Sequence, residues 1–260
     1  MPLSPLSPQP TVRKLILHYH LFKNAGTSVD ELLKRSFGSR WVTREFNGGG
    51  PAAHRAELAR WLQEERDAVA FSSHTAQLPP PAAAGVECFP LIFVRHPIDR
   101  IASAYAFETK QGGSGFGAVL ARNTTLAGYI EVRLSLGHDR QCRNFHVARL
   151  AQMFPATDGD ERARAMKALD ALPFVGLVEA FDASAQRMAA WLQPHFPAFQ
   201  AAAVAKNVTR GLDTPLADKL AALRAEIGEV LWAQLLDANR DDLAVYEAVA
   251  ARYHRAGTAA

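Results

Sequence analysis

The run Pro90–Arg95, PLIFVR, is apolar at every position up to its final arginine, and it constrains the fold more than any other stretch. A strand without a polar face must be covered on both sides, the situation of a strand inside a parallel α/β sheet. KLILHYH (Lys14–His20) reads as a second buried strand, AVAFSS (Ala68–Ser73) as a shorter one, and PFVGLVE (Pro173–Glu179) as a fourth. Helical periodicity lies between them. Gly26–Phe37 carries a stripe of Val29, Leu32, Leu33 and Phe37, and AAHRAELARWLQEER carries Leu58, Trp61 and Leu62. Pro97 sits at the first position of a helix that continues through IDRIASAYAFETK. The connection QGGSGFG (Gln111–Gly117) is glycine-rich and suits a lid, and from Leu120 the chain is mainly helical. This alternation predicts a parallel sheet with helices on both faces, whose ligands bind beyond the carboxyl ends of the strands.

Length and composition narrow the class. The chain has 260 residues, of which 48% are apolar and 21% charged, with a formal charge of +3. That profile fits a globular domain with an anionic ligand and is too weakly basic to argue for nucleic acid. Residues 1–12 are proline-rich and read as a disordered tail, leaving 13–260 as one domain. The tail has neither a signal-peptide pattern nor an apolar anchor, which together with two widely spaced cysteines, Cys88 and Cys142, predicts a reducing, cytoplasmic setting.

Three polar clusters fall at expected strand ends. The first, Lys23, Asn24, Ala25, Gly26, Thr27 and Ser28, joins a strand to a helix. Small residues there let several backbone N–H groups meet one anion at the helix N-terminus, while Lys23 brings a mobile charge. The sequence is not G-x-x-x-x-G-K-[ST], so a Walker-type ATPase loses support. A plain polar turn with capping hydroxyls stays open. The second cluster is FVRHPIDRIASAY, in which Arg95, Arg100 and Ser103 can converge on a second anion. A structural pairing of Arg100 is the other reading. The third is His74, a candidate base because a histidine titrates near neutrality.

Taken together, these clusters resemble the signatures of PAPS-dependent sulfotransferases, most closely the family of heparan sulfate 2-O-sulfotransferases and their bacterial relatives. Lys23–Ser28, preceded by His20, is similar to that family's 5′-phosphosulfate loop, H-I-P-K-T-G-G-T-S. Arg95, Pro97, Arg100, Ser103 and Tyr105 are similar to its 3′-phosphate motif, R-x-P-x-x-R-x-x-S-x-Y. SSHT at His74, FVGLVEAFDAS and the late NVT (Asn207–Thr209) extend the resemblance along the chain. Phe22, Asn24, Ala25 and Ser73 depart from the family's usual proline, threonine and two glycines.

The resemblance implies a P-loop-like three-layer α/β/α core with a central parallel sheet and a helical C-terminal half. It implies transfer of a sulfuryl group from 3′-phosphoadenosine 5′-phosphosulfate (PAPS) to an acceptor hydroxyl on a carbohydrate, releasing adenosine 3′,5′-bisphosphate (PAP). Lys23 and His74 would be catalytic, and Lys23, Asn24, Ala25, Gly26, Thr27, Ser28, Arg95 and Ser103 would bind the donor. A nucleotide or small-molecule phosphotransferase and a non-catalytic nucleotide-binding module are the alternatives. No metal is expected. His18 and His20 share a strand face, but the sequence shows no carboxylate or cysteine cluster beside them, so they read as core histidines. His138, His146 and His195 read as lacking matched partners. Arg140, Arg143 and Arg149 read as a solvated helix face or an acceptor contact, and Lys206 and Thr209 as closing over the donor or capping a turn.

Overall fold

The computed structural model describes residues 12–46, 50–201 and 214–257. Nearly all of the expected tail, the centre of the Asn47–Pro51 loop, Lys206 and Thr209 lie outside the described residues. The first half alternates β1 (Arg13–Tyr19), α1 (Gly26–Phe37), β2 (Trp41–Thr43), α2 (Pro51–Glu64), β3 (Ala70–Ser73), β4 (Val86–Leu91) and β5 (Phe93–Val94). Helices α3 (Pro97–Lys110), α4 (Phe116–Asn123), α5 (Leu126–Ser135), α6 (Phe145–Leu150) and α7 (Glu161–Ala171) follow. After β6 (Gly176–Leu177) come α8 (Phe181–Leu192), α9 (Leu216–Ile227), α10 (Glu229–Ala238) and α11 (Arg240–Gly257).

Four strands form a parallel sheet in the order β2-β3-β1-β4, and β5 pairs in parallel with β6. The PLIFVR run is therefore shared between two ladders. Its first part bonds to β1, and beyond Ile92, whose carbonyl accepts the Gly176 N–H at 2.9 Å, it bonds to β6 instead. The expected strand Pro173–Glu179 shortens to Gly176–Leu177 because Val178–Ala180 already coils into a tight turn before α8.

Side-chain alternation along β1 builds the two faces. Leu15, Leu17 and Tyr19 enter a cluster with Leu58, Trp61 and Leu62 of α2, Leu169 of α7 and Val249 of α11. Ile16 enters the opposite cluster, with Val29, Leu32 and Leu33 of α1 and Met188 and Leu192 of α8. Each such side chain contributes about 1.5–3 kcal/mol when removed from water. A third cluster joins Ile98 and Ile101 of α3 to Tyr129 and Ile130 of α5 and Leu231 and Leu235 of α10, which makes the C-terminal half helical. All strands point the same way, so His20, His74 and Arg95 emerge from β1, β3 and β5 on one edge of the sheet. No helix among the described residues is long and apolar enough to cross a membrane.

Candidate functional site

The β1–α1 turn holds Lys23 at φ 62° and Ala25 at φ 58°, a left-handed conformation that costs a non-glycine residue about 1–2 kcal/mol. Alternating left-handed residues turn successive amides toward one point, the geometry of an anion nest. The Asn24 amide is spent on the Leu21 carbonyl at 3.1 Å, and those of Ser28 and Val29 on the Ala25 carbonyl at 3.0 and 3.2 Å. The amides of Ala25, Gly26 and Thr27 have no acceptor among the described residues. No acidic residue stands in the first turn of α1. Gly26 has a second role, since a Cβ there would lie 2.0 Å from Cδ2 and 2.3 Å from Nε2 of His20.

A buried strut fixes this turn. Asn24 donates to the Phe22 carbonyl at 3.0 Å and presents its Oδ1 2.8 Å from Nε2 of His146. Nδ1 of His146 donates to Asp242 at 3.0 Å, and Asp242 also accepts the backbone N–H groups of His146 and Val147 at 2.9 and 2.8 Å. Burial alone would raise the Asp242 carboxyl, but the His146 charge and these donors hold it below the usual carboxylate range. His146 is thus corrected: it has two matched partners, one from the loop and one from α11. His195 also has one, its Nδ1 lying 2.9 Å from the Lys14 ammonium.

Arg95 crosses to the same turn. Its Nε donates to Asp99 at 2.6 Å and its Nη1 to the Lys23 carbonyl at 3.3 Å, leaving Nη2 without a partner among the described residues. The Lys23 ammonium lies 4.6 Å over the Phe107 ring and has no hydrogen-bond acceptor among the described residues. Partial burial, and then the neighbouring Arg95, pull it below the ordinary lysine value. Asp99, Ser103 and Phe107 recur at four-residue spacing on α3, so half-buried Ser103 shares the stripe that meets the turn. Arg100 does not converge with them. It is wholly buried, donates to both the carbonyl and side-chain oxygens of Gln141, and stacks 4.1 Å from the Phe145 ring.

The histidines gather beside Gly26. His20 stacks on His74 at 3.8 Å, and His18 lies 5.3 Å from His20 at an interplanar angle of 24°. Nδ1 of His74 donates to Glu45 at 2.7 Å. Because a carboxylate only accepts, this contact fixes the tautomer and leaves Nε2 with its lone pair. Glu45 is itself held by the backbone N–H groups of His74 and Thr75 and by the Thr75 hydroxyl at 2.9 Å. Partial burial would raise its carboxyl, but these bonds, that from the His74 ring foremost, hold it below the usual range. Asp30, one turn into α1, accepts from Nδ1 of both His18 and His20 at 2.8 Å each. The expectation that no carboxylate accompanies this pair is therefore corrected.

The remaining arginines divide. Arg140 pairs with Glu161 at 3.0 Å and Arg143 donates to the Leu134 carbonyl at 2.7 Å, while Arg149 lies 5.5 Å from the Phe145 ring. The glycine-rich connection is pinned by Arg122, which donates to the Gln111 and Gly113 carbonyls at 2.6 and 2.7 Å, and α4 already begins at Phe116. Burial pushes the Cys142 thiol up to about 12. Sequence reasoning missed Glu45, Asp30 and the Asp242–His146 strut. A signal existed for Asp30 alone, four residues after Gly26 on the helix that faces His18 and His20.

No protein-family model matches the chain. A protein of Archaeoglobus fulgidus, recorded as an uncharacterized protein, is 39% identical over 247 residues, covering 93% of this chain and 98% of that one. The chain belongs to the same family as this archaeal protein.

Proposed function

We propose that the chain is a sulfotransferase that moves a sulfuryl group from PAPS to an acceptor hydroxyl, and that its sheet and helices form a P-loop-like three-layer core. The observation that carries this reading is the turn at Lys23–Gly26. Left-handed residues, amides and an Arg95 Nη2 without partners among the described residues, a first helical turn without acidic residues, and a Lys23 ammonium with no hydrogen-bond acceptor among the described residues all meet there. Such an arrangement suits a ligand with two anionic groups. Lys23 and the amides of Gly26 and Thr27 would take the phosphosulfate end. Arg95 and Ser103 would take the 3′-phosphate.

The donor supplies an activated sulfur bonded to a phosphate oxygen, and the chain supplies the proton chemistry and charge. His74 accepts the acceptor's hydroxyl proton at Nε2 as the oxygen bonds to sulfur. The bond from sulfur to the bridging phosphate oxygen breaks, and Lys23 stabilises the negative charge left on that oxygen of the departing PAP. Glu45 holds the imidazole in the tautomer that can accept the proton and stabilises the imidazolium it becomes. A carbohydrate acceptor belongs to the same proposal and rests on the resemblance alone.

Calorimetric titration with PAP and with ADP, on wild type and on Arg95→Ala, tests the reading. We expect binding that needs the 3′-phosphate and weakens at least about 10-fold in Arg95→Ala, the loss of one charged hydrogen bond. Equal affinity for both nucleotides, or none for either, would point to the phosphotransferase or to a non-nucleotide protein.

A further inference from the structure

We infer that His18, His20 and Asp30 form a binding site for one divalent cation of the Zn²⁺ class, set directly beneath the β1–α1 turn. One imidazole within β1, a second from the residue just past its end, and one carboxylate from α1 bring their donor atoms within 4.8 Å of one another. Both Nδ1 atoms already lie 2.8 Å from separate oxygens of Asp30. In a tetrahedral shell with bonds of about 2.0–2.1 Å, neighbouring ligands stand roughly half an ångström farther apart than this. Each histidine–carboxylate contact needs to open slightly for the ion to enter between the three donors.

The chemistry of the donors fits. Two neutral imidazoles and one carboxylate suit Zn²⁺, Co²⁺ or Fe²⁺ in preference to Mg²⁺ or Ca²⁺, which favour all-oxygen shells. His18 is 1% exposed, so an ion bound there would sit away from bulk solvent, and the imidazoles would bind it in their neutral form. The Ser72 hydroxyl hydrogen-bonds Asp30, accepts from the Trp41 indole at 3.1 Å, and serves as an outer partner of the carboxylate. Three protein ligands leave a fourth position open, as in sites that keep a water or another small ligand.

Binding displaces the two Nδ1–H···O bonds. Each imidazole then gives its Nδ1 lone pair to the metal and carries its proton on Nε2. For His20 this matters beyond the site, because its Nε2 edge rests against Gly26 at the mouth of the anion turn. With the metal bound, His20 presents an N–H donor there. The ion would also tie β1 to α1 under the turn.

The test is a titration of the chelator-treated full chain with Co²⁺ and Zn²⁺, followed by visible absorption and thermal melting. We expect one equivalent bound, a d–d band of a four- or five-coordinate Co²⁺, and a higher melting temperature. Asp30→Asn should weaken binding by more than about 100-fold, since loss of outer-shell partners alone costs 10–100-fold. Long-range proton–nitrogen NMR on wild type needs no variant, and should show His18 and His20 change from Nδ1–H to Nε2–H on adding Zn²⁺. No saturable binding, or unchanged histidine tautomers, would reduce the cluster to a hydrogen-bonded bracket. These readouts need no nucleotide, so they stand or fall apart from the sulfotransferase reading.

Discussion

Gly26 and His20 compete for one volume, and the glycine exists so that the ring can be there. An alanine at Gly26 would put its Cβ 2.0 Å from the imidazole, and His20 is held on its other side by Asp30 and His74. We expect Gly26→Ala to cost about 1–3 kcal/mol of stability, the usual penalty of overpacking, and to weaken PAP binding at least about 10-fold as the turn shifts. Denaturant unfolding and calorimetry read the two effects separately. Unchanged PAP affinity would show that the turn is not the anion site. Glu45 makes a different kind of prediction. Glu45→Gln keeps the size of the side chain but removes its charge and its preference for accepting from Nδ1 of His74. Turnover should fall about 10–100-fold, part of the 10²–10⁴-fold typical of a whole proton-transfer catalyst, while PAP affinity stays at its wild-type value. Equal turnover would remove Glu45 from the mechanism.

At the scale of elements, the local signals were legible and the long-range ones were not. Helix α1 has the bounds its apolar stripe predicts, because an amphipathic period reports burial directly. Strand β2 has three residues, too few for any period to show. The long apolar run of PLIFVR announces a buried strand but not that it changes partner at Ile92. The site divides in the same way. Lys23–Ser28 and Arg95 stand out because each cluster is contiguous, whereas Glu45 meets His74 across 29 positions and Asp242 meets His146 across 96. Arg100 lies on α3 with Ser103, yet its side chain turns inward to Gln141 and Phe145. The Asp242–His146–Asn24 strut is where an element far from the ligand controls the turn. Asp242→Ala would strip acceptors from His146 and from two backbone amides, and leaving such buried donors unmet costs about 1–3 kcal/mol each. We expect urea unfolding to report a loss of at least about 2 kcal/mol. PAP binding should weaken although Asp242 is wholly buried and reaches the turn only through His146 and Asn24. Loss of stability with intact PAP affinity would make the strut a scaffold only.

For the whole molecule, proton uptake on unfolding sets how stability varies with pH. His96 lies at the junction of the sheet edge, α3 and α11, its ring edge-on to Tyr246 at 5.0 Å and its Nδ1 buried without a partner among the described residues. Burial pushes its imidazole from the ordinary 6.5 down to about 4, against the pull of Asp99 and with help from His146. Between those values the unfolded chain binds a proton at this position and the folded chain does not, so stability falls as pH falls through that window. The full effect is about 3 kcal/mol, reached near pH 4 and absent above pH 7. Asp242 adds to the loss at the acid end, because its depressed carboxyl is charged when folded and must be protonated. Glu179, which accepts the His96 backbone N–H at 2.7 Å, works the other way, because burial raises its carboxyl and the folded state takes up a proton first. Replacing the ring isolates the histidine. His96→Leu keeps roughly the same volume, leaves the backbone bond to Glu179 in place and removes the only one of these groups that titrates from 6.5 downward. We expect the wild-type unfolding free energy to drop from pH 7 to pH 4.5 and the His96→Leu curve to be flatter over the same interval. Parallel curves would mean that His96 is protonated in the folded state and that another group carries the acid instability.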